Sequence, residues 1–137
     1  MIRPEVLHKR LEKLDEYLSI LYSMQRYSRD EFVANPERYG SAERFLHLAI
    51  ETLTDMGNHV IAGLQLGTVD WPSDVPRRLR EAGYIDEAAE QLWIKMIGFR
   101  NILVHEYLGI DRDIVYRVLH DHLDDIARLK QVFGQFL

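Results

Sequence analysis

The sequence predicts an all-α fold, an antiparallel bundle of four long helices and one or two short ones. Three observations predict it. Leu7, Leu11, Leu14, Leu18 and Leu21 recur at alternating spacings of four and three, the repeat of a single helix face. Between residues 41 and 66, aliphatic side chains fall on one side of a helical wheel and polar ones on the other. No segment alternates apolar and polar residues with period two for long enough to read as a strand. The connections are short, which favours antiparallel neighbours.

The first helix is expected from about Pro4 to Arg26, because proline suits a first helical position. "SRDEFVANPERYGS" interrupts the pattern: Asn35-Pro36 and Gly40 read as a connection with one short turn of helix around Phe32. Ser41 is the expected N-cap of the second long helix, which has Glu43 in its first turn and runs to about Leu66, stopping at Gly67. "TVDWPSD" reads as loop, followed by a short helix over Val75–Ala82 that Gly83 closes. Asp86 caps the next long helix, expected to end near Gly109. Asp111 caps the last, where Ile110 and Val115 have the spacing of a hydrophobic staple and Val115, Leu119, Ile126, Leu129, Phe133 and Phe136 continue the stripe.

The 137 residues suit one domain, 1–137, with one core. No apolar run approaches the ~20 residues of a membrane span, and "MIRPEVLHKRLEKL" has no secretory apolar core, so a cytoplasmic location is expected. The chain has no cysteine, which removes disulfides, thiolate metal sites and a cysteine nucleophile together. A net charge of −5 argues against a broad basic face that coats nucleic acid, but allows a small local basic site.

The second long helix carries a polar stripe. Leu46, Ile50, Leu53, Val60, Ile61 and Leu64 share one broad face, while His47, Glu51, Asp55 and Asn58 share the opposite one with His59 at its margin. Either this is a solvated face, or it lines a polar cleft facing the stretch "GFRNILVHEYLGID".

That stretch, residues 98–111, holds the densest chemistry in the chain. Asn101 and His105 are four apart and share a helix face, as Arg100 and Tyr107 share another line. Arg100 and His105 lie about 140° apart on an ideal helix, so one copy makes an awkward site. Two copies facing each other across a two-fold axis make a better one. Histidine exchanges protons near neutral pH, and arginine binds phosphate and stabilises charge developing on phosphorus. Such a set suits RNA cleavage without a metal: His105 takes the proton of a ribose 2′-hydroxyl, that oxygen attacks the adjacent phosphorus, and Arg100 stabilises the transition state. Asn101 orients either group and Tyr107 positions substrate. The plainer reading of Arg100 and His105 is a pair of helix-end groups answering the dipole.

Elsewhere the signals are thinner. In "HDHLDD", His120 and Asp124 share a face but supply only two ligands, too few for a metal site, so a solvated face is the better reading. Arg77, Arg78 and Arg80 read as surface residues with a possible phosphate or partner contact. No phosphate-cradling glycine loop and no Gly-x-Ser-x-Gly is present.

"RNILVHEY" matches the Arg-x4-His-x-Tyr signature of the HepT family, within the HEPN superfamily, and Asn101 is the usual residue after the arginine. "FLHLAIETLTDMGNHVIAGL" resembles that family's second-helix block and "AGYIDEAAEQLWIKMIGFRNILVHEY" its fourth, so the resemblance spans nearly the whole chain. It implies a HEPN bundle paired as a homodimer with its cleft between subunits. It implies the toxin of a type VII-like toxin–antitoxin pair: a metal-independent endoribonuclease with no cofactor, partnered by a small nucleotidyltransferase antitoxin, MntA. Carried over by position, Arg100 and His105 are catalytic, Asn101 supports them, and Tyr107 accepts AMP from the antitoxin. AMP there would place phosphate charge and a bulky base beside Arg100 and switch the site off. Glu51, Asp55, Asn58 and His59 are candidate cleft-lining residues. Partners are then RNA and the antitoxin, without DNA or membrane. The alternative is a non-catalytic HEPN subunit that holds and regulates the nucleotidyltransferase.

Overall fold

The computed structural model describes residues 1–106 and 108–137, and Tyr107 lies outside the described residues. Among them every regular element is helical. They are α1 (Pro4–Met24), α2 (Arg29–Ala34), α3 (Pro36–Leu64), α4 (Asp74–Glu81), α5 (Glu87–His105), α6 (Arg112–Asp121), α7 (Leu123–Lys130) and a terminal 3₁₀ turn (Gln131–Phe136).

Local chemistry sets most of the boundaries. Pro4 opens α1 and the leucine stripe becomes its buried face, through Leu7, Leu14, Leu18 and Leu21. Ser28 and Glu31 form a reciprocal capping box on α2, which explains a stable helix of only six residues. The expected connection at Asn35–Gly40 is instead the start of α3. Asn35 accepts from the Glu37 N–H and caps, Pro36 takes the first helical position where its missing donor costs nothing, and Gly40 lies within the first turns. Ser41 is therefore an interior residue rather than a cap. Asp86 accepts from the Ala89 N–H at 2.8 Å to start α5, and Asp111 does the same for α6 through Asp113.

The last helix is also not continuous. It breaks at His122, whose backbone (φ −122°, ψ 2°) leaves the helical range, and restarts with Asp124 and Asp125 at the positive N-terminal end of α7. The apolar stripe survives the break, because Val115, Leu119, Leu123, Ile126, Leu129 and Phe133 are all buried.

At 29 residues α3 is the longest element, about 44 Å, and every other α-helix packs against it. Its buried face meets α1 on one side and α4 and α5 on the other. Trp93 of α5 is fully buried at that junction, its indole N–H donating to Thr54 Oγ1 at 3.1 Å while the Thr54 hydroxyl donates to the Ile50 carbonyl. Gly57 makes the junction possible. A Cβ there would overlap Val75 Cγ1 and sit 3.3 Å from the Trp93 ring, so only a hydrogen atom lets α4 and α5 approach α3 this closely. No described helix is long and apolar enough to cross a membrane.

Candidate functional site

The site begins with the position of Arg100 on α5 opposite the polar stripe of α3. Its Nη2 lies 3.4 Å from Glu51 Oε1, and its Nη1 donates to Asn101 Oδ1 at 3.1 Å. The side chain is about a quarter exposed. A guanidinium has five N–H donors in a rigid fork, so two anchored contacts orient it and leave donors free for an oxyanion.

Glu51 is shared. Its second oxygen lies 2.6 Å from His47 Nε2, one helical turn back, within ion-pair range but off the line a hydrogen bond needs. Asp55, one turn further on, completes the acidic side. Removal from water pushes its carboxyl up from the ordinary range, Glu51 adds to that push, and Arg10 of α1 and Arg100 oppose it. A hollow of about 100 Å³ lies at the centre, walled by Ile50, Glu51, Thr54, Asp55, Pro72, Ile97 and Arg100. A separate, broader groove lies where His47 and Arg44 of α3 come near Leu103 and Val104 of α5.

His105 stands apart from this group. It is the last residue of α5 and is exposed to water, with no hydrogen bond or ion pair to Arg100 among the described residues. Two aliphatic residues near it in the chain stay exposed: Ile102 is 44 % exposed and Leu108 91 %. Within one chain, then, Arg100, Asn101, Glu51 and Asp55 come together, and His105 does not join them. Tyr107 lies outside the described residues.

The remaining sequence candidates divide. Asn58 continues the stripe on an exposed turn of α3. His59 is drawn away from it, because its Nε2 accepts the backbone N–H of Arg3 at 3.1 Å and ties down the N-terminal segment. It does not line the hollow. The "HDHLDD" side chains hold three separate contacts: His120 sits against the carbonyls of Tyr116 and Gln25, His122 pairs with Asp125, and Asp124 accepts from the Tyr22 hydroxyl. Burial and that carboxylate push the Tyr22 phenol up to about 12. Among the described residues no three His, Asp or Glu side chains converge as metal ligands. Arg77, Arg78 and Arg80 pair with Asp74, Glu81 and Glu90 respectively. Sequence reasoning missed Arg10, which approaches Asp55 from α1, and Pro72, which walls the hollow. Both depend on how distant segments pack, and neither carries a local signal.

The chain is also similar to known proteins. Residues 7–133 match a family model described as Ribonuclease HepT-like. The chain is 29 % identical over 119 residues to the tRNA nuclease HepT of Aphanizomenon flos-aquae, covering 86 % of this chain and 80 % of that protein. It is 32 % identical over 87 residues to the mRNA nuclease HepT of Shewanella oneidensis, covering 64 % of this chain and 65 % of that one. Among solved structures, a tri-AMPylated Shewanella oneidensis HEPN toxin in complex with MNT antitoxin superposes with a TM-score of 0.87 at 23 % identity, over 95 % of this chain and 97 % of that chain. YutE, a cytosolic protein of Bacillus subtilis, superposes at 0.84 and 21 % identity, over 99 % and 91 %. At these identities the structural likeness establishes the shared HEPN-type fold.

Proposed function

The chain belongs to the HepT-like ribonuclease family, and on that premise we propose that it is a toxin endoribonuclease that cleaves RNA without a metal and is silenced by a nucleotidyltransferase antitoxin. The observation that carries the reading is the anchoring of Arg100 between Glu51 and Asn101 at the edge of a hollow sized for a small oxyanion.

In this mechanism the free edge of the Arg100 guanidinium holds a non-bridging phosphate oxygen and stabilises charge as phosphorus becomes five-coordinate. Asn101 keeps the fork turned to its task. His105 accepts the 2′-hydroxyl proton, the 2′-oxygen forms its bond to phosphorus, and the 5′-oxygen of the next nucleotide leaves and takes a proton. The products are a 2′,3′-cyclic phosphate and a 5′-hydroxyl. In one chain His105 is exposed and does not line the Arg100 hollow, so the reading includes a homodimer in which the motif of the second copy faces the first. Exposed Ile102 and Leu108 supply apolar surface for that pairing. The antitoxin acts on Tyr107, two residues beyond His105, where AMP places a phosphate that competes for Arg100 and an adenosine that fills the cleft.

The test is RNA cleavage in EDTA by wild type and His105→Ala, with end-group analysis. Wild type is expected to leave cyclic phosphate and 5′-hydroxyl ends, and the variant to lose about 10²-fold or more in rate. Equal cleavage by both proteins, or an absolute need for metal, would overturn the reading. Co-expression with the nucleotidyltransferase should add AMP masses that Tyr107→Phe abolishes. One observation favours a second reading, a binding subunit without turnover: the Arg100 guanidinium already has Glu51 as a partner. Growth arrest on expression that Arg100→Ala abolishes, with folding intact, would exclude it.

A further inference from the structure

We propose that Trp71 is a stacking platform for an unpaired nucleobase of the RNA, adjoining the hollow in which Arg100 takes the phosphate. The inference rests on the ribonuclease reading above and adds to it the class of substrate, single-stranded RNA, and a residue that selects it.

Trp71 is 71 % exposed, whereas Trp93, the other tryptophan, is fully buried. An aromatic ring left in water on a loose loop would carry little meaning, but this loop is tied. The N–H groups of Asp70 and Trp71 both donate to Asp74 Oδ2 at 3.0 Å. The Asp74 N–H returns a bond to the Trp71 carbonyl at 2.9 Å, and the Val75 N–H bonds the Pro72 carbonyl at 3.1 Å. Asp74 is itself only 7 % exposed and is held from its other oxygen by Arg77 at 2.8 Å. The two backbone N–H groups hold its carboxyl below the ordinary range, so it is charged whenever the protein is at neutral pH. A carboxylate is taken out of water to fix a loop whose tip keeps its largest apolar side chain in water. Stability alone does not account for that arrangement.

The position of the loop supplies the reason. Pro72, the next residue, is a wall of the hollow that Arg100, Glu51 and Asp55 share. Trp71 therefore stands at the rim of the phosphate position. Single-stranded RNA is held by pairing these two devices, a cation for the backbone and an aromatic face for a splayed base. Tryptophan also anchors protein interfaces, but such anchors sit in apolar patches. Here the exposed neighbours in the chain are Asp70, Pro72 and Arg77, two of them charged.

The test uses the two-tryptophan composition. His105→Ala protein, which keeps the loop and does not cut, is titrated with a single-stranded RNA oligonucleotide while intrinsic fluorescence is read, and binding is followed in parallel by anisotropy of labelled RNA. Single-stranded RNA is expected to quench the solvent-exposed emission, duplex RNA to leave it largely unchanged, and Trp71→Phe to remove the quenched component. Trp71→Ala in the active protein should raise KM about 10-fold with kcat little changed, and Trp71→Phe should recover most of the loss. Its thermal midpoint should match wild type, since the ring buries little. RNA binding without quenching, or unchanged cleavage by Trp71→Ala, overturns the proposal while leaving the nuclease reading in place. A wild type that binds RNA with quenching but does not cut supports the platform and sinks the nuclease. A wild type that neither binds nor cuts overturns both. Emission that responds to the nucleotidyltransferase and not to RNA assigns Trp71 to the protein partner and overturns the platform.

Discussion

Arg100 and His105 lie little more than one turn apart on α5, yet their surroundings are opposite. Arg100 is held by two side chains, faces an acidic stripe and borders a walled hollow. His105 ends the helix in water, beside aliphatic residues that a lone chain would rather bury. One chain thus pre-organises the phosphate-binding half of the proposed site and leaves the proton-transfer half unfinished. A second copy is the most economical way to complete it, because the same exposed surface that strands His105 also asks for a partner.

The contrast can be broken most severely by removing either reactive group. Arg100→Ala and His105→Ala should each cost 10²- to 10³-fold or more in RNA cleavage, an expectation from the usual worth of an oxyanion donor or a general base. They should differ in the fold: His105→Ala leaves the melting temperature unchanged, whereas Arg100→Ala takes the guanidinium partner from Glu51 and lowers it. Next in size is the apolar end. Ile102→Asp with Leu108→Asp should yield a folded monomer by sedimentation, with cleavage falling at least about 10-fold because the halves no longer meet. An unaltered sedimentation profile would move the interface elsewhere. Glu51→Gln should be milder, a loss of a few-fold to about 10-fold in kcat, since the guanidinium loses charge pairing but keeps a hydrogen-bonding oxygen. An increase in activity would mean that Glu51 restrains Arg100 rather than orienting it.

The smallest effect is a pH signature at Asp55. Its carboxyl is pushed up by burial and by Glu51, so the folded state favours the protonated form relative to the unfolded chain. That contribution to stability is fully present below the unfolded value of about 3.9 and is lost as pH rises through the raised folded value. Asp55→Asn should therefore raise the thermal midpoint slightly at pH 7 and leave it unchanged near pH 3. The same gain at both pH values would assign the effect to packing.

Much of this was legible beforehand, and the failures are instructive. The leucine stripe of α1, the Asp86 and Asp111 caps and the buried face of α3 follow from spacing and capping chemistry, which are local. Gly40 and Asn35-Pro36 looked like a connection because each disfavours a helix interior. Together, with asparagine as cap and proline in the first turn, they start one. The break at His122 left no mark in the apolar stripe, since both segments bury the same side. The stripe on α3 pointed to Glu51 and Asp55, which line one hollow with Arg100, but also to His59, which the N-terminal backbone claims. Arg10 comes up to Asp55, and Pro72 to the hollow, from segments far away in the chain, and no window of sequence displays that.

Gly57 bears on all of this from a distance. Its missing side chain fixes how deep Val75 and Trp93 seat on α3, and Val75 follows directly from the Asp74 that ties the Trp71 loop. The residue acts as a shim. Thickening it by one methyl group would tilt α4 outward and carry Pro72 and Trp71 with it, so the aperture beside Arg100 is gauged by a position that never touches it. A Gly57→Ala protein is the natural starting point for a temperature-sensitive variant whose site loosens before its fold does.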